Sequence, residues 1–222
     1  MFFFKNYFRK RKIKKFKKYG DVLKKAFTTK EQRLEAIESL KNGEAELSVP
    51  QLLKRFELVI DHGIQDTKEK EMCMQEILSH KEKSITYVTE FIKNQKRISW
   101  PLRISEKLLD NDKYLELLLS ILEPDLIAFD DAHIERNIAV LNALKDVYNK
   151  SVTEKLLPFL KHRNDDIKIA AVEALLSQVL NNKDDYAKKT LTEISKEELN
   201  DENSRFLGHV KNLVSQNKWD KS

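Results

Sequence analysis

Three octets of this sequence share one pattern of small and large apolar residues, and this repetition constrains the fold more than any other feature. They begin at Arg33, Asn137 and Lys168, and a weaker copy begins at Arg103. Each octet has a small residue where two helices must approach closely and a large aliphatic residue where a core must be filled, at helical spacing. Self-similar helical units that cannot bury their apolar faces alone are typical of α-solenoids.

Glycine and proline are scarce, with four of each among 222 residues. The turns of β-sandwiches and barrels depend on these residues, so an all-β fold is disfavoured. We therefore predict an all-α fold, a right-handed α-solenoid of about six helical hairpins preceded by a short extension. The alternative is an ordinary helical bundle. The predicted hairpins cover residues 22–41, 49–79, 84–110, 113–147, 152–180 and 184–217, and the predicted domains are a basic aromatic N-terminal extension, 1–20, and the solenoid, 21–218.

Three segments have the form of a capping box and predict where helices begin. In this motif the first side chain and the Glu or Gln three residues later satisfy each other's backbone N–H groups. The segments are Thr28-x-x-Glu31, Ser48-x-x-Gln51 and Ser151-x-x-Glu154.

The segment 151–175 resembles a HEAT repeat. It has Pro158 in its first helix, the acidic turn 165–166, the aliphatic-basic pair 167–168 and an Ala-Ala-x-x-Ala-Leu face at 170–175. More broadly, residues 31–217 resemble bacterial HEAT-repeat proteins of unassigned function. That broader resemblance depends on Gln51–Phe56, Ile98–Arg103 and Leu157–Leu160, followed by the octet that ends at Leu175. It implies an armadillo-like scaffold for protein–protein interaction and no particular chemistry.

The formal net charge of +5 conceals a strong asymmetry along the chain. Residues 1–30 contain 12 lysines and arginines and the single acid Asp21, whereas residues 31–222 contain 29 basic and 35 acidic residues. A basic head therefore precedes a mildly acidic body. Most of the head's charge is concentrated in nine residues, which are Lys5, Arg9, Lys10, Arg11, Lys12, Lys14, Lys15, Lys17 and Lys18.

Aromatic residues are interleaved with these charges. We predict an aromatic anchor, a charged bridge and then a helix whose apolar stripe packs on the first hairpin. The anchor is Phe2, Phe3, Phe4 and Phe8, and the stripe is Phe16, Tyr19, Leu23 and Phe27.

Three interpretations of the head remain open. It binds an anionic membrane surface, where each basic residue contributes about 1 kcal/mol; it binds nucleic acid by phosphate neutralisation and base stacking; or it is a solvated, partly disordered tail without a partner. Lysines outnumber arginines seven to two among its nine basic residues, so nucleic-acid binding would be non-specific.

The starts of the second helices suggest a candidate groove row. Its members are Arg33, Arg103, Arg136 and Lys168. The alternative is that these side chains bond to inter-helix turns and neighbouring acids. The expected function is a non-catalytic scaffold or adaptor, with a protein partner in the groove and the head on an anionic membrane. The alternative function is a HEAT-like nucleic-acid binder, for which a base-excision enzyme is one candidate.

Sequence motifs for catalysis, metals and cofactors are missing, so we expect no enzyme activity, no cofactor and no metal. There is no glycine-rich phosphate loop and no His-Glu-x-x-His, and the five histidines are scattered. His62 is interpreted as a helix-end cap or a turn residue, Asp130 and Asp131 as the start of a helix, Cys73 as a core residue and Trp100 as packing at a helix start.

The single cysteine, Cys73, excludes a disulfide framework and fits a reducing compartment. No apolar run approaches the length of a membrane span. Phe2–Phe4 precede the lysines, which is the reverse of a secretory signal. The sequence thus predicts a cytoplasmic protein, and the membrane interpretation of the head places it peripherally at the inner face of the membrane.

Overall fold

The computed structural model describes residues 2–124, 130–199 and 204–219, with only the backbone at 2–6, 150 and 204. Across these ranges the chain is all-α and forms no strand, which confirms the predicted fold class at this level. Its α-helices are α1 (Phe2–Lys24), α2 (Lys30–Leu40), α3 (Ala45–Leu53), α4 (Gly63–Ser79), α5 (Ile85–Asn94), α6 (Ser99–Leu108), α7 (Asn111–Ile121), α8 (Asp131–Ala143), α9 (Lys150–Leu156), α10 (Asp165–Asn182), α11 (Asp185–Ile194) and α12 (Ser204–Gln216). Short 3₁₀ helices occur at Lys54–Glu57, Lys81–Ser84, Leu144–Asp146 and Leu157–Lys161.

The helices gather into two compact units, Met1–Tyr114 and Leu115–Ser222. Neighbouring helices pack on each other in the pairs α1/α2, α3/α4 and α5/α6 of the first unit, and in α9/α10 and α11/α12 of the second. The predicted hairpin 22–41 contains only one complete helix, α2, and the helix that pairs with it is α1. The boundary predicted at residue 20 falls inside α1. A solenoid that includes both units stays a prediction.

The repeated octets lie on α2, α8 and α10, and each buries its small and aliphatic residues. On α2 the buried residues include Ala36, Ile37 and Leu40. On α10 the segment 170–175 contributes five residues to the core, namely Ala170, Ala171, Val172, Ala174 and Leu175. The apolar pattern of the octets therefore identified core-facing sides of these helices.

The predicted capping boxes are wrong in position. The capping box of α2 is formed by Thr29 and Gln32, one residue later than predicted, while the Thr28 hydroxyl donates to the carbonyl of Val22. Ser48 lies inside α3, where its hydroxyl donates to the Leu40 carbonyl at 2.7 Å. The cap of α9 is Asn149, whose carboxamide oxygen accepts from the backbone N–H of Ser151. Several polar side chains near each helix start can cap it, and tertiary packing selects among them.

The basic head is one continuous helix, so the predicted charged bridge between an anchor and a later helix is wrong. Phe16 is 8% exposed and Leu23 is fully buried, which confirms the inner part of the predicted stripe. Phe27 does not join them because α1 ends at Lys24, and Phe27 lies in the following turn, completely exposed.

Two of the four glycines lie where α1 meets the rest of the first unit. Gly20 is in the interior of α1, where glycine costs roughly 1 kcal/mol relative to alanine. A Cβ added there would be 2.9 Å from Cβ of Gln51 on α3. A Cβ on Gly43 would be 2.6 Å from Cε1 of Phe16. These glycines allow α1 to approach the α2–α3 region closely enough to become part of the core.

We expect Gly20→Ala to destabilise the protein by about 1–3 kcal/mol, because overpacking at Gln51 outweighs the better helix propensity of alanine. The matched control is Gly208→Ala in α12, where a new Cβ meets nothing within 4 Å. This control should be stabilising by up to about 1 kcal/mol. Urea denaturation followed by circular dichroism measures both, and a Gly20→Ala variant at least as stable as the parent would contradict the close packing of α1.

Candidate functional site

The outward side of α1 has an exposed row of cations, which we call the basic stripe: Lys10, Arg11, Lys14 and Lys18. At 100° per residue these four positions lie on the side of the helix opposite the buried Phe16. Among the residues that the structure describes, none of the four forms an ion pair with an acidic side chain. The stripe is thus a set of solvated positive charges on one face of a helix that is attached to the body.

Two exposed aromatic rings stand immediately before the stripe. Tyr7 is 61% exposed and Phe8 is 62% exposed, and their rings meet edge to face with centroids 5.9 Å apart. The other anchor residues, Phe2, Phe3 and Phe4, and the neighbouring Lys5 have side chains outside the described part of the structure. Of the four residues of the predicted anchor, only Phe8 has a described side chain, and the ring of Tyr7 lies against it.

Other cations of the head are turned toward α3 or cover aromatic rings. Arg9 pairs with Glu46 at 2.7 Å, and Lys12 pairs with Glu44 at 2.6 Å. The hydrogen bond from Lys12, together with its charge, holds the pKa of Glu44 below its usual value. Lys15 lies 5.7 Å from the Tyr19 ring centroid, and Lys17 is exposed. The eight described members of the predicted surface-binding set are therefore all exposed, but they differ in whether an acid or a ring lies against them.

The candidate groove row is divided between the two units, with Arg33 and Arg103 in the first and Arg136 and Lys168 in the second. Arg33 is only 5% exposed and pairs with Glu69, so its charge is already compensated within the first unit. Exposed Arg103 lies 5.1 Å from the Trp100 ring centroid.

Lys168 pairs with Asp165 and lies 4.7 Å from the ring centroid of Phe206, and Arg136 is half-buried. Arg33 and Lys168 are thus both bonded to neighbouring acids, which is what the alternative interpretation of these residues predicted. The proposed row itself stays a prediction.

Sequence reasoning missed a buried charge network in the first unit. The carboxylate of Glu69, fully buried, accepts from Nε of Arg33 and Nε of Arg55, each at 2.8 Å. Arg55 is also fully buried, and its Nη2 donates to Asp66 at 2.7 Å. Lys70 completes the network by donating to the second oxygen of Asp66 at 2.6 Å. Of these contacts only the Asp66–Lys70 pair, four residues apart on α4, has a spacing that the sequence shows. The others depend on α2, α4 and the 3₁₀ helix Lys54–Glu57 coming together.

Both acids of this network are held in the charged form. Burial alone would raise the pKa of Glu69, but hydrogen bonds from Arg33 and Gln65 and the charge of Arg55 lower it below its ordinary value. The pKa of Asp66 is likewise lowered, since hydrogen bonds from Lys70 and Arg55 outweigh burial. A carboxylate committed to two arginines accepts no further proton near neutral pH, and the network is therefore structural.

A cavity of about 580 Å³ opens beside this network in the first unit. Its walls come from the turn after α1, from the start of α2 and from the segment leading into α4. The lining residues are Ala26, Thr28, Lys30, Arg33, Val59, Ile60, Asp61, His62 and Gln65. His62 caps α4 by accepting from the backbone N–H of Gln65 through Nδ1, as the sequence predicted.

The remaining single-residue predictions can be placed in the structure. Cys73 is fully buried, and burial raises its pKa to about 12, which makes the thiol inert. Trp100, at the start of α6, stacks on Phe56 with centroids 6.1 Å apart. Asp130 caps α8 through the N–H of His133.

The described residues contain neither a candidate metal centre nor a candidate membrane span. No group of three or more His, Cys, Asp or Glu side chains in that part of the chain is arranged to hold a metal ion. No helix there is both long enough and apolar enough to cross a bilayer.

Comparison of the chain with family models, curated proteins and solved structures gave no match. The resemblance to HEAT repeats therefore stays a prediction, and a function must be argued from the residues themselves.

Proposed function

We propose that this protein is a non-catalytic adaptor whose helix α1 binds an anionic membrane surface through the basic stripe, while its helical repeats bind a protein partner. The membrane-binding half of this proposal rests on the basic stripe, which is four solvated cations on one face of a helix that packs against the first unit. The protein partner follows from the predicted scaffold fold alone.

The expected affinity is that of a reversible peripheral contact. Each basic residue close to an anionic leaflet contributes about 1 kcal/mol, so the stripe supplies about 4 kcal/mol. Tyr7 and Phe8 add apolar area at the end of the same helix, where aromatic rings sit well at the level of the headgroups. Charge and apolar contact together provide the two signals that stable membrane association requires.

Nucleic acid is the competing ligand for the same charges. Three of the four stripe residues are lysines, which provide charge without the bidentate geometry of arginine. The stripe is also confined to one helix, and the chain from residue 31 onward has more acids than bases. A protein that wraps nucleic acid would be expected to extend its positive surface further.

Cosedimentation of the full-length protein with vesicles tests the proposal. At about 0.15 M salt we expect binding to phosphatidylcholine vesicles that contain about 30 mol% phosphatidylserine, and little binding to phosphatidylcholine alone. A duplex DNA and a single-stranded RNA serve as competing ligands in the same buffer. Absence of vesicle binding would refute the proposal, and so would nucleic-acid binding tighter than vesicle binding.

A deletion of residues 1–19 is not a suitable test of the head. Phe16 is buried in the first unit and covers Gly43, so the deletion would uncover core surface as well as remove charge. Substitutions on the stripe change the charge and leave the packing of α1 intact.

A further inference from the structure

Three large apolar side chains of the first unit are exposed close to its cavity. Phe27 is 102% exposed, Ile64 is 82% exposed and Val59 is 55% exposed. We call these three residues the apolar rim. Single exposed apolar residues are common on soluble proteins, whereas a group of them marks a surface that contacts something.

The rim residues are brought together by the turn after α1 and the start of α4. Val59 lines the cavity directly. Phe27 stands between Ala26 and Thr28, which both line it, and Ile64 is the neighbour of the lining residue Gln65. Residues more than 30 positions apart in the sequence thus lie in the wall of one cavity or directly beside a residue of that wall.

The charges near the rim match those of the basic stripe. Lys24, Lys25 and Lys30 are exposed on either side of Phe27, and the acid in the cavity lining is Asp61. Lys24 is the last residue of α1 and Lys25 follows it directly, so these two charges lie where that helix ends. The rim therefore follows directly from the end of the proposed membrane-binding helix.

We propose that the apolar rim is a second membrane contact, in which Phe27, Val59 and Ile64 enter the interfacial region of the same anionic bilayer that the basic stripe contacts. This inference rests on the proposed function. Burial of apolar side chains is favourable and is not screened by salt. The flanking lysines favour an anionic bilayer over an uncharged apolar partner.

Site-specific labelling distinguishes this inference from the proposed function. A Phe27→Cys variant of the full-length protein can be labelled with nitrobenzoxadiazole without removing Cys73, because Cys73 is fully buried and unreactive. The control is Asn181→Cys, an exposed position on α10 of the second unit. With phosphatidylserine-containing vesicles we expect a blue-shifted, brighter label at position 27 that nitroxide-bearing lipids quench, and an unchanged label at position 181.

A double variant, Phe27→Ser with Ile64→Ser, provides the second measurement. Both side chains are exposed, so the fold should be unaffected, and we expect binding to the same vesicles to weaken about tenfold. If the protein cosediments with vesicles while the label at position 27 remains in water, or if the double variant binds as well as the parent, this inference is overturned and the proposed function stands. If the parent does not cosediment at all, both are overturned.

Discussion

Replacement of Glu69 by alanine is expected to lower the free energy of unfolding by about 3–5 kcal/mol. The carboxylate is the shared partner of two buried guanidinium groups, those of Arg33 and Arg55. Its removal leaves these two positive charges in the interior with too few acceptors, and the cost of an uncompensated buried charge is much larger than that of a lost surface pair. Chemical denaturation of the full-length protein measures the change.

The matched control is Glu71→Ala on the same helix, two residues later. Glu71 is exposed and makes no ion pair with a described residue, so this change should alter stability by less than about 0.5 kcal/mol. Equal effects of the two substitutions would show that the network does not contribute to stability as we describe.

The same network predicts how stability depends on pH. The pKa of Glu69 and the pKa of Asp66 are lower in the folded protein than their ordinary values of 4.5 and 3.8. An acid whose pKa is lower in the folded state than in the unfolded state stabilises the fold at a pH above its unfolded-state pKa. This contribution is lost as the pH falls through the folded-state pKa. We therefore expect the stability difference between the parent and Glu69→Ala to be constant near neutral pH and to shrink below about pH 4. A difference that grows on acidification would contradict the lowered pKa values.

Replacement of the four stripe residues, Lys10, Arg11, Lys14 and Lys18, by glutamine is expected to weaken binding to phosphatidylserine-containing vesicles by at least about 100-fold. Four cations at about 1 kcal/mol each correspond to almost three orders of magnitude in affinity. The residues are exposed and unpaired with described acids, so the thermal stability should change little. Cosedimentation across a series of lipid concentrations provides the measurement.

A control variant must lose the same net charge elsewhere. Glutamine at four exposed lysines of the second unit, Lys155, Lys161, Lys189 and Lys196, meets this requirement. If binding depends on the stripe, this control should retain affinity within a few-fold of the parent. Similar losses in both variants would mean that net charge, and not the position of α1, attracts the protein to the membrane.

Sequence reasoning succeeded where the signal is periodic and local. Helical positions and the buried faces of α2 and α10 follow from the spacing of residues such as Ile37 and Leu175. Helix starts were less predictable, because Thr28 and Thr29 have nearly equal capping ability and differ only in tertiary surroundings. The burial of Phe27 was predicted wrongly for a related reason. Its place in the predicted apolar stripe of α1 has meaning only if the helix continues past Lys24, and it does not.

The buried charge network could not be predicted from the sequence, for a different physical reason. Arg33 and Arg55 are 36 and 14 residues from Glu69 in the sequence, and each of the three alone resembles an ordinary surface charge. Only the packing of separate helices removes them from water and makes them depend on one another. The basic stripe is an intermediate case, which the sequence predicts only in part. Its composition is visible in the sequence, but its orientation depends on which side of α1 packs inward.

The close packing of Gly20 and Gly43 has a consequence for the energetics of membrane association. Many lipid-binding segments are unfolded in water and form a helix only on the bilayer, which costs about 1–2 kcal/mol of backbone entropy for each residue that becomes ordered. Here α1 is already helical and is held by the close packing of its Gly20 against Gln51 and of its Phe16 against Gly43. The attraction of the stripe for an anionic surface is thus available without an ordering cost, and the helix content of the protein should be the same in solution and on the vesicle.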